Sequence, residues 1–198
     1  TPKVMGVLNL TPDSFFDGGK FLRKDNSFDE SKIINSIESM IEDGADFIDI
    51  GAQSTKPGFT KISPSEELDR LGLVFDKLND YPVLFSIDTF NYEVIKEAIN
   101  KKIDLINNVF SFSDQESFKL VCRNDVPICV CHQGNPDNKE DIFSQINLFF
   151  SDVEEKFEKE KFNTDNIIFD PGFGYGKTPF QNLKILSNLE KLKKDRIL

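Results

Sequence analysis

Polar side chains stand within or just past the ends of a series of short apolar runs. Asn9 follows residues 4–8, Asp49 lies in 47–50, Asp88 closes 83–87, and Asn107 with Asn108 sits in 103–109. His132 follows 128–131 and Asp170 follows 166–169. A polar group at the end of a buried strand either reaches a backbone atom or points into a site. The loops behind several of these residues are rich in Gly, Pro, Ser and Thr, and the first of them, residues 10–19, adds Phe15 and Phe16 as apolar groups able to close over a ligand. No Ser, His and Asp set and no dedicated general base stands out.

Two phosphate-binding motifs come close and fail. The run 171–178 ends in Gly176, Lys177 and Thr178, but a phosphate loop needs its first glycine where Pro171 stands. The dinucleotide fingerprint fails because its third glycine would fall at Lys177. Cys129, Cys131 and the sole histidine, His132, form a C-x-C-H string, for which packing at a strand end is favoured over a metal. With Cys122 the cysteines form an odd set without CxxC spacing, which indicates buried thiols rather than a disulfide framework or zinc ribbon. The charged run 154–161 reads as a solvated helix face.

The elements that position these residues alternate. Ser27 with Glu30 forms a capping box ahead of Ile33, Ile34, Ile37, Met40 and Ile41 at helical spacing, and Gly44 ends that helix. Ser63, Pro64 and Glu66 start a second helix running to about residue 79. Further helices are expected over 91–101, behind Ser113 with Glu116, over 140–162 and over 181–193. The opening run, lacking period-2 alternation, suits a strand buried on both faces. Six strand-then-helix units imply a parallel sheet with helices outside it. Polar residues at the end of strand after strand fit a TIM (β/α)8 barrel better than an open doubly wound sheet, which gathers its site at one switch point. The 198 residues form one expected domain with about six of the eight units, and residues 194–198 look like the start of a seventh strand.

The formal net charge of −10 argues against a nucleic-acid partner. No run approaches the roughly 20 apolar residues that span a bilayer, and the start lacks the pattern of a signal peptide, so a cytoplasmic protein without membrane association is expected.

Six segments together resemble the dihydropteroate synthase family: MGVLNLTPDSFFDGG (5–19), DIGAQSTKPG (49–58), SIDTF (86–90), INN (106–108), HQGNP (132–136) and DPGFGYGK (170–177). The resemblance implies a TIM barrel that joins 6-hydroxymethyl-7,8-dihydropterin pyrophosphate to p-aminobenzoate, a substrate that sulfonamides mimic in this family. It matches Asn9 to a Mg2+ ligand that helps bind the leaving pyrophosphate, and Asp88, Asn107 and Asp170 to groups that hydrogen-bond the pterin. It matches Thr55 to a second-loop contact with the pterin substrate. Asp13, Ser14, Phe15 and Phe16 fall on a first loop expected to act as a lid. A homodimer of the complete protein is implied as well.

Departures from the family pattern are Gln53 and Lys56 where Glu and Arg are usual, Asn108 where Asp is usual, and a segment around His132 that is one residue short. The family's last two units, which carry a lysine, an arginine and a histidine of the site, are expected to be missing, leaving these 198 residues alone unstable or inactive. A pterin-binding barrel without synthase activity, whether a degenerate paralogue or a methyltransferase-like domain, is the alternative. The first loop, of the synthase type, speaks against it.

Overall fold

A computed structural model describes residues 2–12, 21–25, 27–54, 60–135, 140–192 and 197. The chain groups into two compact units, 1–107 and 108–198.

In the first unit β1 (Met5–Asn9), β2 (Phe47–Gly51), β3 (Leu84–Asp88) and β4 (Leu105–Asn108) pair in chain order, all parallel. Helices α1 (Glu30–Glu42), α2 (Pro64–Phe75) and α3 (Tyr92–Asn100) alternate with them. Strand side chains alternate between faces. Leu8, Ile48, Ile50, Phe85, Ile87 and Ile106 share one face and none is more than 2% exposed. Gly6 lies on that face because a Cβ there would stand 2.8 Å from the Met40 sulfur of α1. On the other face Val7 is 52% exposed and Leu84 45%. The expectation that β1 is buried on both faces is therefore corrected: helices cover one face of these strands and not the other.

Helix starts follow the nearest acceptor rather than the best sequence pattern. Asp29, not Ser27, caps α1 by accepting from Lys32 N, while the Ser27 hydroxyl donates to Asp25 Oδ1 at 2.6 Å. Ser63 caps α2 as expected, accepting from Glu66 N at 3.1 Å, with Pro64 at the first helical position. The Glu66 carboxylate pairs with Arg70 at 2.6 Å.

The second unit holds β5 (Ile128–Cys131) and β6 (Ile167–Asp170), paired parallel, with α4 (Gln115–Asn124), α5 (Ile142–Lys159) and α6 (Pro179–Leu186). Asp114 rather than Ser113 caps α4. Thr178 and Gln181 form a full capping box on α6, which starts earlier and ends sooner than its periodicity suggests. Ile197 forms a single parallel bridge to Phe169, where a seventh strand is expected to begin. Phe157, fully buried on α5, meets the rings of Phe118, Phe162 and Phe112 at 4.8, 5.1 and 6.1 Å. Lys156 departs from the solvated face expected of its run. Its ammonium lies 4.1 Å over the Phe118 ring and donates to Phe112 O at 3.0 Å. Cys129 and Cys131 are buried thiols, whereas Cys122 is half-buried.

The glycines after β6 serve close packing. Gly134 N donates to Tyr175 O at 3.0 Å, and Cβ atoms on Gly134 and Gly176 would each fall within 2.4 Å of the other's carbonyl oxygen. Lys177 pins the same turn: its ammonium donates to His132 O, Gly172 O and Tyr175 O at 2.9, 2.8 and 3.2 Å. Burial pulls its pKa down to about 8. His132 packs its ring 5.3 Å from that of Phe149 on α5, which favours packing over a metal for the C-x-C-H string. Burial, and then the Lys177 charge, hold its pKa near 4.

Phe157→Ala should cost about 3–5 kcal/mol by cavity formation, read as a lower denaturant midpoint with unchanged slope. A loss under about 1 kcal/mol would mean the ring cluster does not hold this unit together. Between the unfolded value of about 6.5 and the folded value near 4, His132 takes up a proton only when the chain unfolds. Wild-type stability relative to His132→Phe should therefore fall as pH drops through that window, by up to about 3 kcal/mol, and level off below it. A pH-independent difference between the two proteins would refute the buried neutral imidazole.

Candidate active site

Four strand ends of the first unit align in one row. The register pairs Asn9 with Gly51, Gly51 with Asp88, and Asp88 with Asn107, so these positions share a face at the C-terminal edge of the strands. Gly51 supplies the gap between the first and third members. A Cβ on it would stand 3.3 Å from Asn9 Oδ1 and 3.5 Å from Asp88 Oδ2, so any side chain there would fill the space over which the two converge. Three of the predicted residues, Asn9, Asp88 and Asn107, are thus brought together.

Beneath this row lies a second one. Asp49 pairs with Ser86 two residues earlier on the same face, and Asn107 Nδ2 donates to Asp49 Oδ2 at 3.0 Å. Asp49 is 6% exposed and Ser86 fully buried. Asp49 Oδ1, Ser86 Oγ and Asp88 Oδ1 are all buried without a hydrogen-bond partner. Buried polar atoms are nearly always satisfied, and each one left unpaired costs about 1–3 kcal/mol, so three in one patch mark a place built for a ligand. Burial raises the pKa of Asp49, with Ser86 and Asn107 beside it pulling the other way. The Asp88 pKa is raised further, by burial first and then by the negative charges of Asp49 and Glu67. The patch sets two carboxyl oxygens and a hydroxyl, which can donate as well as accept, where the polar edge of a ligand can pair with them.

The Asn9 amide is half-buried and makes no hydrogen bond to a described residue, leaving a hard oxygen beside the Asp88 carboxylate. Among the described residues no group of three or more His, Cys, Asp or Glu could hold a metal. One amide oxygen does suit Mg2+ of the kind bound by one or two protein oxygens, with substrate phosphates and water completing the shell.

In the second unit Asp170 closes β6, opposite Cys131 in the register. Its Oδ1 accepts from Gly172 N at 2.7 Å, so one oxygen forms the turn before the glycine-rich run. Its Oδ2 makes no hydrogen bond to a described residue. Thr55, Lys56, Asp13, Ser14, Phe15 and Phe16 lie outside the described residues, and with them most of the expected lid.

Asp49, Ser86 and Glu67 gain a place that their sequence positions do not assign. Asp49 carries the one detectable signal, a charge inside an apolar strand.

The pterin binding enzyme family model matches residues 5–197. The chain is 37% identical to a dihydropteroate synthase of Clostridium beijerinckii, covering 96% of this chain and 69% of that protein. It is 39% identical to the mitochondrial folate synthesis bifunctional protein of Arabidopsis thaliana, of which it spans 36%. A Yersinia pestis dihydropteroate synthase in a sulfonamide drug complex superposes with a TM-score of 0.86 at 32% identity, covering 96% of this chain and 70% of that one. The Xanthomonas albilineans enzyme with 4-aminobenzoic acid gives 0.85 at 30% identity, with coverage of 99% and 70%. Likeness at this level extends to the barrel architecture, of which six β/α units are present here. From the strand-end row, the family match and these likenesses, the chain belongs to the pterin-binding enzymes and, among them, to the dihydropteroate synthases, which are transferases.

Proposed function

We propose that the protein condenses 6-hydroxymethyl-7,8-dihydropterin pyrophosphate with p-aminobenzoate to give 7,8-dihydropteroate and pyrophosphate. The observation that carries this reading is the patch of unpaired buried oxygens on Asp49, Ser86 and Asp88 beneath the aligned strand ends. A pterin edge offers N–H donors in a fixed row, and Asp88 and Asn107 supply acceptors that an analogue lacking those donors would leave unpaired. Asp170 and Thr55 are assigned to the same substrate by the family resemblance.

In the reaction the bond between the exocyclic carbon and the pyrophosphate oxygen breaks, and its electron pair leaves with pyrophosphate. The lone pair of the aryl amine forms the new C–N bond, and the amine then loses a proton to solvent. The electron-rich pterin stabilises positive charge on the exocyclic carbon, so no side-chain nucleophile is needed. Asp88 and Asn107 hold the ring, and Asn9 is the residue that would hold a divalent ion at the pyrophosphate end. Mg2+ bound there would neutralise charge on the leaving group. A homodimer and a cytoplasmic location belong to the same reading through the family, and are checked by sedimentation and cell fractionation.

Asp88→Asn should lower affinity for the pterin pyrophosphate about 100-fold or more, because the new amide sets a donor against the ligand's donors. Stability should move the opposite way. A carboxyl whose pKa is raised on folding loses stability as pH rises above its unfolded value near 4, so removing the charge should raise Tm at neutral pH. Calorimetry and thermal melts check the pair, and an Asp88→Asn protein that still binds pterin would remove Asp88 from the site. Asn9→Ala should raise the Mg2+ concentration needed for half-maximal turnover in a pyrophosphate-release assay. An unchanged metal dependence would refute Asn9 as a ligand, and pterin binding without turnover by a chain extended through two more β/α units would favour a binding protein over a synthase.

A further inference from the structure

Among the described residues, no side chain orients the Asp88 carboxylate directly. Its Oδ1 is buried without a partner and no described side chain hydrogen-bonds to it, so the backbone of β3 and of the turn that follows sets its aim. That turn, residues 89–91, is tied to β4 by Thr89 N donating to Asn107 O at 3.0 Å. Within it, Asn91 N donates to Thr89 Oγ1 at 3.2 Å. Its other support comes from outside the strand and helix it joins.

Asn91 is the N-cap residue of α3, yet its side chain makes no capping bond. The amide instead donates to Glu67 Oε2 of α2. Glu67 is fully buried, and Thr89 and Asn91 are 1% and 5% exposed. Burial raises the Glu67 pKa, opposed by hydrogen bonding with Thr89 and Asn91 and by the charges of Lys61 and Arg70. The core positions nearby on α2, Leu71, Val74 and Phe75, are apolar, so a carboxyl here costs free energy that a leucine would not. One turn further along α2, Arg70 Nη1 donates to Ala52 O at 2.8 Å and so holds the segment behind Gly51. The first turns of α2 thereby grip the chain behind two neighbouring members of the strand-end row.

We propose that Glu67 is a positioning residue, a buried strut from α2 that fixes the Thr89–Asn91 turn and so aims Asp88 and Asn107 at the pterin. This rests on the reaction proposed above, and predicts a loss confined to one of two substrates.

The test is steady-state kinetics on Glu67→Ala, Glu67→Gln and Asn91→Ser in a chain extended through two more β/α units, at a temperature where each shows a native far-ultraviolet spectrum. Glu67→Ala should raise KM for the pterin pyrophosphate about 10- to 100-fold, with KM for p-aminobenzoate unchanged. Glu67→Gln keeps an oxygen to accept from the Asn91 amide, and should stay within about threefold of wild type. Asn91→Ser leaves a good N-cap residue in place but cannot span to Glu67, so it should reproduce the Glu67→Ala defect. It also decides the matter if Glu67→Ala does not fold. Wild-type KM in Glu67→Ala or Asn91→Ser would overturn the strut, as would equal rises for both substrates or no rescue by Gln. Pterin binding without wild-type turnover would refute the reaction alone, and the strut would then be read from pterin dissociation constants in the same way. No pterin binding by wild type would overturn both.

Discussion

Strand register is the constraint on which this site depends. In a parallel sheet a slip of one residue turns every side chain to the opposite face. Shifting β3 by one position would put Asp88 on the face where Leu8, Ile50 and Ile106 are fully buried, and Ile87 where Asp88 stands. A carboxylate among aliphatic groups costs several kcal/mol, and Ile87 would leave the aliphatic face for one shared with Asp49 and Ser86. The same packing that stabilises the helix-covered face therefore fixes Asn9, Gly51, Asp88 and Asn107 in one row. Site geometry is a by-product of core formation on the opposite face.

The row works against the stability that creates it. Asp49, Asp88 and Glu67 are three carboxyls in one unit whose pKa values are all raised by burial. No described residue forms an ion pair with Asp49 or Asp88. A site that recognises donors must hold unpaired acceptors before the ligand arrives, and cores bear such costs when function requires it. Gly51 fits the same logic, since a larger residue would pack better and close the gap between Asn9 and Asp88.

Much of this was legible in the sequence, and the failures share a cause. Strands and helices followed hydrophobic period, and the placement of Asn9, Asp88 and Asn107 at strand ends was readable from polar residues closing apolar runs. Local competition moved boundaries: Asp29 and Asp114 took capping roles that Ser27 and Ser113 seemed to hold, because a carboxylate within one or two residues accepts as well as a hydroxyl. Period alone could not say that helices cover only one face of β1, which left Val7 exposed. Glu67 was hidden for a different reason. Next to Glu66 in a charged helix start it looks like surface, and only the fold brings Thr89 and Asn91 against it.

Lys177 shows how far a motif can stand from its chemistry. Gly176, Lys177 and Thr178 end like a phosphate loop, yet an ammonium has three N–H bonds and here each meets a backbone carbonyl. Turning toward an anion would strand His132 O, and would take the ammonium from Gly172 O and Tyr175 O, which keep only their backbone donors, in a turn where Gly134 and Gly176 pack backbone against backbone. A stranded group costs about 1–3 kcal/mol, more than one exposed ion pair returns. The glycines and the lysine of this run form a single structural device that sets the chain behind Asp170.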